Sequence, residues 1–287
     1  MQIEKINNII ESYKNGYTTD VIVSTYSISL PTLYSILKRY NIPLKGCQKY
    51  KINENYFSII DTPEKAYWLG FIFADGCVSN YRLTLSLHIQ DDYILNYLKE
   101  SLESEIPIYT DRPTQKRFSV YNKKIALDLN NLNIVKQKTY SNKFPLVPSN
   151  MYKYFICGYF DGDGGVSLTK KTDYCCLTFT CYTRSILETV KTILLQFDIE
   201  SNISEKTSGK AFDLIISKYT SIKLFYENLY SDSPFIMKRK HDKLYNWLYN
   251  RSHSPKFEHL FCIECGAKHI AKGLCKRCYD QKRYYNN

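Results

Sequence analysis

Apolar positions along the chain follow two periods. Ile6, Ile9, Ile10 and Tyr13 share one face of a helix predicted over 3–14, which Asn15 and Gly16 end. A second helix is predicted over about 19–26. Ser29 then caps a third, with Pro31 in its first turn and Leu33, Ile36 and Leu37 facing inward. Further on, the stretches 66–74 and 154–160 are almost wholly apolar. Each precedes an alternating strand, one carrying Leu83, Leu85, Leu87 and Ile89, the other Leu177, Phe179 and Cys181. A helix is predicted after each strand, from Asp91 or Asp92 to about Leu102 and from about Thr183 to Gln196. Two short strand-like runs and a closing helix follow, at 106–110, 116–121 and 125–132, then at 201–208, 211–217 and 221–230.

The two series are copies. A shift of 88 positions superimposes Gly70 on Gly158, Asp75 on Asp163, Gly76 on Gly164, Val78 on Val166 and Ser79 on Ser167. The order helix, strands, helix, strands, helix predicts an α+β fold of two tandem αββαββα repeats, packed as a pseudo-twofold dimer within one chain.

In both copies a glycine lies midway along the apolar helix and an aspartate stands at its C-terminal end. That end carries the partial negative charge of unpaired carbonyls, so Asp75 and Asp163 sit at the disfavoured pole. If Gly70 and Gly158 bring the two helices close, both carboxylates arrive in one small volume. A divalent cation would turn their repulsion into a site, and hard oxygen ligands favour Mg²⁺. A single glycine-bearing apolar helix is most simply a core helix. It is the matched pair, with agreeing sequence downstream, that argues for chemistry.

At these residues the chain resembles the LAGLIDADG homing endonucleases. Trp68 to Gly76 and Ile156 to Gly164 fall on the nine motif positions, and the resemblance covers roughly residues 55–250. It implies a saddle whose sheets lie along the DNA major groove. It also implies that Asp75 and Asp163 hold Mg²⁺ beside the scissile phosphates, helped by the backbone carbonyls of Ala74 and Gly162. Phe73 departs from the pattern, where the motif has an acid and the second copy keeps Asp161. That position is not the expected metal ligand. The family also uses a basic residue in each half. The segments Val135-Lys-Gln-Lys138-Thr and Ile236-Met-Lys-Arg-Lys240-His resemble its carriers, pointing to Lys138 and Lys240, with Lys136, Lys238 and Arg239 as rivals and an ordinary solvated basic face as the bland alternative.

The formal net charge is +11, yet residues 1–51 and 251–287 hold most of the excess, leaving 52–250 nearly neutral. Basic ends suit a polyanion, because neutralising phosphates releases counterions. The run 28–42 resembles the recognition helix of resolvase- and transposase-type helix-turn-helix domains. Its expected DNA-facing side is Thr32, Tyr34, Ser35, Lys38 and Arg39; a plain helical extension is the simpler alternative.

Near the other end stand Cys262-Ile-Glu-Cys265 and Cys275-Lys-Arg-Cys278, two knuckles suited to tetrahedral structural Zn²⁺. Paired disulfides are the rival. The absence of an apolar leader and the scatter of the other cysteines fit a reducing compartment and favour zinc. Lys276 and Arg277, within the second knuckle, are expected to meet DNA.

The expected organisation is therefore a helix-turn-helix module over 1–45, a linker over 46–54, repeats over 55–150 and 151–250, and a basic zinc module over 258–287. The expected protein is a monomeric, Mg²⁺-dependent, site-specific endonuclease acting on double-stranded DNA. It would be intracellular, cytoplasmic or in a host cell's cytoplasm if encoded by a mobile element, with no membrane partner. The ends carry no splicing residues, which favours a free-standing or intron-encoded enzyme. A DNA-binding transcription regulator that does not cut, and an RNA maturase that assists intron splicing, remain the alternatives.

Overall fold

A computed structural model describes residues 3–15, 17, 19–42, 50–135, 143–169, 174–207, 209–250 and 274–285. The chain divides into two compact units, Met1–Lys51 and Ile52–Asn287.

The described residues of the first unit form three helices, α1 (Ile3–Lys14), α2 (Thr19–Tyr26) and α3 (Leu30–Arg39). Their apolar faces meet in one small core of Ile9, Ile10, Tyr13, Ile22, Leu33, Ile36 and Leu37, the side that the helical spacing marks as inward. Ser29 caps α3 as its position predicts, its Oγ accepting the Thr32 N–H at 3.3 Å. The same Oγ meets the Thr32 hydroxyl at 2.7 Å. Tyr34, Ser35, Lys38 and Arg39 are exposed and Thr32 is half-buried.

The second unit contains the duplication. Its first copy runs α4 (Pro63–Asp75), β1 (Cys77–Ser79), β2 (Arg82–His88), α5 (Tyr93–Ser101), β3 (Tyr109–Arg112), β4 (Gln115–Tyr121) and α6 (Lys123–Asn131). The second runs α7 (Tyr152–Asp163), β5 (Gly164–Thr169), β6 (Tyr174–Cys181), α8 (Arg184–Leu195), β7 (Asn202–Glu205), β8 (Phe212–Ile216) and α9 (Tyr219–Leu224), which continues as a π-turn over Phe225–Tyr230. Each copy forms a four-stranded antiparallel sheet of the same order, β1-β2-β4-β3 and β5-β6-β8-β7. Alternate residues of β2 (Leu83, Leu85, Leu87) and of β6 (Cys175, Leu177, Phe179) enter a core shared by both copies.

Two differences from the predicted elements have physical causes. The run predicted at 106–110 pairs only from Tyr109, because Ile106 and Ile108 flank Pro107 and pack on the core first. The second copy also has a closing helix that apolar spacing does not announce: α10 (Lys238–Tyr245), followed by a π-turn over Asn246–Asn250. Beyond it, α11 (Lys276–Tyr285) follows Leu274 and Cys275, which are buried.

The paired helix ends: a candidate active site

α4 and α7 pack backbone to backbone. A Cβ on Gly70 would strike the Phe155 carbonyl oxygen and stand 2.8 Å from the Tyr159 nitrogen. On Gly158 it would strike the Tyr67 carbonyl oxygen and stand 2.9 Å from the Phe71 nitrogen. At the far end of the pair, a Cβ on Gly162 would collide with that of Ala74 and reach within 3.6 Å of the Asp75 nitrogen. Only glycine permits this approach. It brings the C-termini of the two helices together, with Asp75 and Asp163 both exposed beside them.

Lys240 reaches the same place from α10. Its ammonium donates to the carbonyls of Phe160 and Asp161, each at 2.7 Å, and of Gly162 at 3.2 Å. It thereby donates to three of the last carbonyls of α7, of which that of Phe160 also accepts the Gly164 N–H, at the pole that favours a cation. The side chain is almost wholly enclosed, at 4% exposure. Burial pulls its pKa down to about 8, against the upward influence of the Asp161 carboxylate; Arg239 lowers it further, while Asp75 and Asp163 raise it. Lys240 therefore lies in the field of both motif aspartates. Of its rivals, Lys238 is tied to Tyr93 and Arg239 to Asp91, while Lys136 and Lys138 lie outside the described residues.

Asp161 stands next to the site without opening onto it. It is fully buried and accepts three hydrogen bonds, from Tyr67 Oη at 2.7 Å, Tyr230 Oη at 2.5 Å and the Met237 N–H at 2.8 Å. Burial raises its pKa to about 6, while the hydrogen bonds from Tyr230 and Tyr67, the nearby Lys240 charge and the Met237 N–H pull the other way. These contacts make Asp161 a structural carboxylate joining α4, α7, the π-turn and the start of α10. The sequence reading sets it aside as a ligand but does not see this role, because its partners are scattered over 67–237.

Two exposed carboxylates beside two helix C-termini offer only hard oxygen donors, a set that fits Mg²⁺. Among the described residues no group of three or more His, Cys, Asp or Glu gathers to hold a metal. A cation between Asp75 and Asp163 would complete its shell from backbone carbonyls, water or substrate. The Gly162 carbonyl, expected among those ligands, already accepts from Lys240.

For the four predicted zinc ligands, Cys262 and Cys265 lie outside the described residues. Cys275 is buried and Cys278 half-buried, with the Cys278 N–H directed at Cys275 Sγ at 3.5 Å. Lys276 and Arg277 between them are exposed. No described helix is long and apolar enough to cross a membrane.

Residues 150–230, most of the second copy, match the family model of the LAGLIDADG-like domain. Two proteins of Methanocaldococcus jannaschii are related over most of this chain. The ATP-dependent DNA helicase Hel308 is 26% identical over 205 residues, covering 64% of this chain and 16% of the helicase. The probable translation initiation factor IF-2 is 28% identical over 211 residues, covering 67% and 16%. The chain thus spans only about a sixth of the length of either relative. Among solved structures it is similar to meganuclease I-SmaMI bound to uncleaveable DNA, at 12% identity and a TM-score of 0.49, covering 65% of this chain and 88% of that one. It is also similar to the I-LtrWI LAGLIDADG homing endonuclease bound to target DNA, at 13% identity and 0.45, covering 68% and 89%.

Proposed function

We propose that this protein is a site-specific, metal-dependent endonuclease that cuts both strands of double-stranded DNA. The observation that carries the reading is the pair of exposed aspartates at the adjoining C-termini of α4 and α7, held there by backbone contact at Gly70, Gly158 and Gly162. The match of residues 150–230 to the LAGLIDADG-like domain supports it. So does the recurrence of a segment of about 200 residues in two relatives of otherwise unrelated description, as expected of a unit that moves between genes.

Phosphodiester hydrolysis needs a positioned water, a cation near the charged oxygens and help for the departing 3′ oxygen. Mg²⁺ held by Asp75 and Asp163, with the Ala74 and Gly162 carbonyls, would supply charge stabilisation and lower the pKa of a bound water. Asp75 and Asp163 would hold that charge at the scissile phosphates, one motif serving each strand. Lys240 is read as the catalytic lysine of the second half: its enclosed ammonium neutralises the end of α7, and its positive charge beside the paired aspartates would favour the phosphate oxygens as they gain charge. Lys138 is read as its counterpart in the first half.

The flanking modules lengthen the footprint. α3 of the first unit would enter a major groove with Tyr34, Ser35, Lys38 and Arg39, and with Thr32 at its N-terminal end. Cys262, Cys265, Cys275 and Cys278 would close around structural Zn²⁺. The Cys278 N–H directed at Cys275 Sγ suits a thiolate knuckle, and Lys276 and Arg277 on it would meet phosphates. Linked modules raise the effective concentration at one long target.

The test is direct. The purified full chain is incubated with genomic DNA of the producing organism in Mg²⁺ or in EDTA, and break ends are sequenced. Double-strand ends at discrete sites, only with Mg²⁺, are expected. Sequence-selective binding without breaks would instead favour a regulator, and selective binding to an intron transcript would favour a maturase.

A further inference from the structure

α10 begins without a cap of its own. Its N-cap residue is Met237, whose side chain makes no capping hydrogen bond, and the first N–H groups of a helix have no partner within it. Three distant side chains hold that end instead. The Met237 N–H goes to Asp161 and the Lys238 N–H to Tyr93 Oη at 2.7 Å, while Arg239 Nε meets Asp91 Oδ2 at 2.9 Å. Asp91 and Tyr93 belong to the first copy, at the turn between β2 and α5. The Lys238 ammonium also lies 4.8 Å from the centre of the Tyr93 ring. Just upstream, Phe235 packs on Trp68 at 4.8 Å and stacks on Tyr97 at 5.5 Å, again in the first copy. Lys240, which reaches the end of α7, is the next residue after this clamp.

We propose that Asp91 and Tyr93 of the first copy are positioning residues for Lys240 of the second, so that the ammonium at the paired aspartates is set by contact between the copies. The proposal rests on the endonuclease reading for its catalytic meaning, but the placement of Lys240 is a matter of geometry alone. The Lys238 amide bond and the Arg239 ion pair stand two positions and one position before Lys240 in the chain. Loosening them removes two of the three side-chain holds on the first turn of α10, leaving Asp161 there and the packing of Phe235 upstream. The β2–α5 turn continues directly from a strand of the first sheet, so whatever shifts that turn shifts Lys240 as well.

The experiment uses the full chain with Tyr93→Phe, Asp91→Asn and the exchange Asp91→Arg/Arg239→Asp. Amine acylation by acetic anhydride is read peptide by peptide by mass spectrometry. Lys153, which is 23% exposed and paired with Asp232, serves as the reference lysine. Lys240 acylation is expected to quicken about tenfold in Tyr93→Phe and Asp91→Asn with Lys153 unchanged, and to slow again in the exchange. On the mapped target, single-turnover cleavage by the two single variants should slow by about tenfold or more at unchanged DNA affinity, and not slow further when Lys240→Met is added. Lys240 protection intact in both single variants, or lost only in step with Lys153, overturns the proposal. If the wild type cuts no DNA, the endonuclease reading fails, while the acylation result still decides the placement of Lys240.

Discussion

The two copies agree where their helices touch and part company two positions before the acid they share. Gly70 and Gly158 are equivalent and are held by the same backbone contact. Asp161 and its counterpart Phe73 have opposite chemistry, and each is buried in surroundings made for it. Phe73 lies among Phe144, Phe155 and Tyr159, with ring centres 6.3, 6.0 and 5.2 Å away. Asp161 has three donors and the Lys240 charge close by. The comparison teaches that the acid at this motif position belongs to the framework. In the second copy it ties the motif helix to α10, and an aromatic cluster fills the same place in the first. Duplication kept the contact between the helices and let their supports diverge.

Substitutions at the shared contact should break both copies at once and cost most. Gly158→Ala forces a Cβ into the Tyr67 carbonyl, so urea denaturation should show a loss of at least about 4 kcal/mol, or no folded protein at all. Next comes the exchange of supports. Phe73→Asp buries a carboxylate among the rings of Phe144, Phe155 and Tyr159, and should cost about 3–5 kcal/mol in the same measurement. Asp161→Asn should cost less, about 2 kcal/mol, because one acceptor oxygen remains while the charge is lost. If Phe73→Asp proved the milder of the two, the view that each copy has its own matched support would fail. The smallest effect is expected away from the duplication: Ser29→Ala removes the α3 cap and should weaken the Met1–Lys51 unit by about 1 kcal/mol. Faster amide exchange in α1–α3, with the exchange of α4 and α7 unchanged, is the expected readout.

Much of this was legible in the sequence because the signals are local or repeated. Helical spacing marked the inward faces of α1 and α3, and the 88-residue shift aligned the two motif helices with the strands behind them. The glycines were readable as points of close approach because both copies carry them at the same place. α10 was not readable as a helix. Its start is capped from Asp161 and Tyr93, the latter 145 residues away in the chain, and its sequence Lys-Arg-Lys-His-Asp-Lys-Leu-Tyr presents few apolar positions to mark a period. The basic run alone could not choose Lys240 over Lys238 or Arg239. Burial separates them: of the three, only Lys240 places its charge on the last carbonyls of α7.

The central claim is that Asp75 and Asp163 together form the cutting centre. On a plasmid carrying the mapped target, wild type and Asp75→Asn/Asp163→Asn are compared in Mg²⁺, with DNA affinity measured alongside. Linear product from the wild type, and intact plasmid from the double variant at comparable affinity and folding, is the predicted result. Linearisation by the double variant at the wild-type rate would contradict the account and move the chemistry elsewhere in the chain.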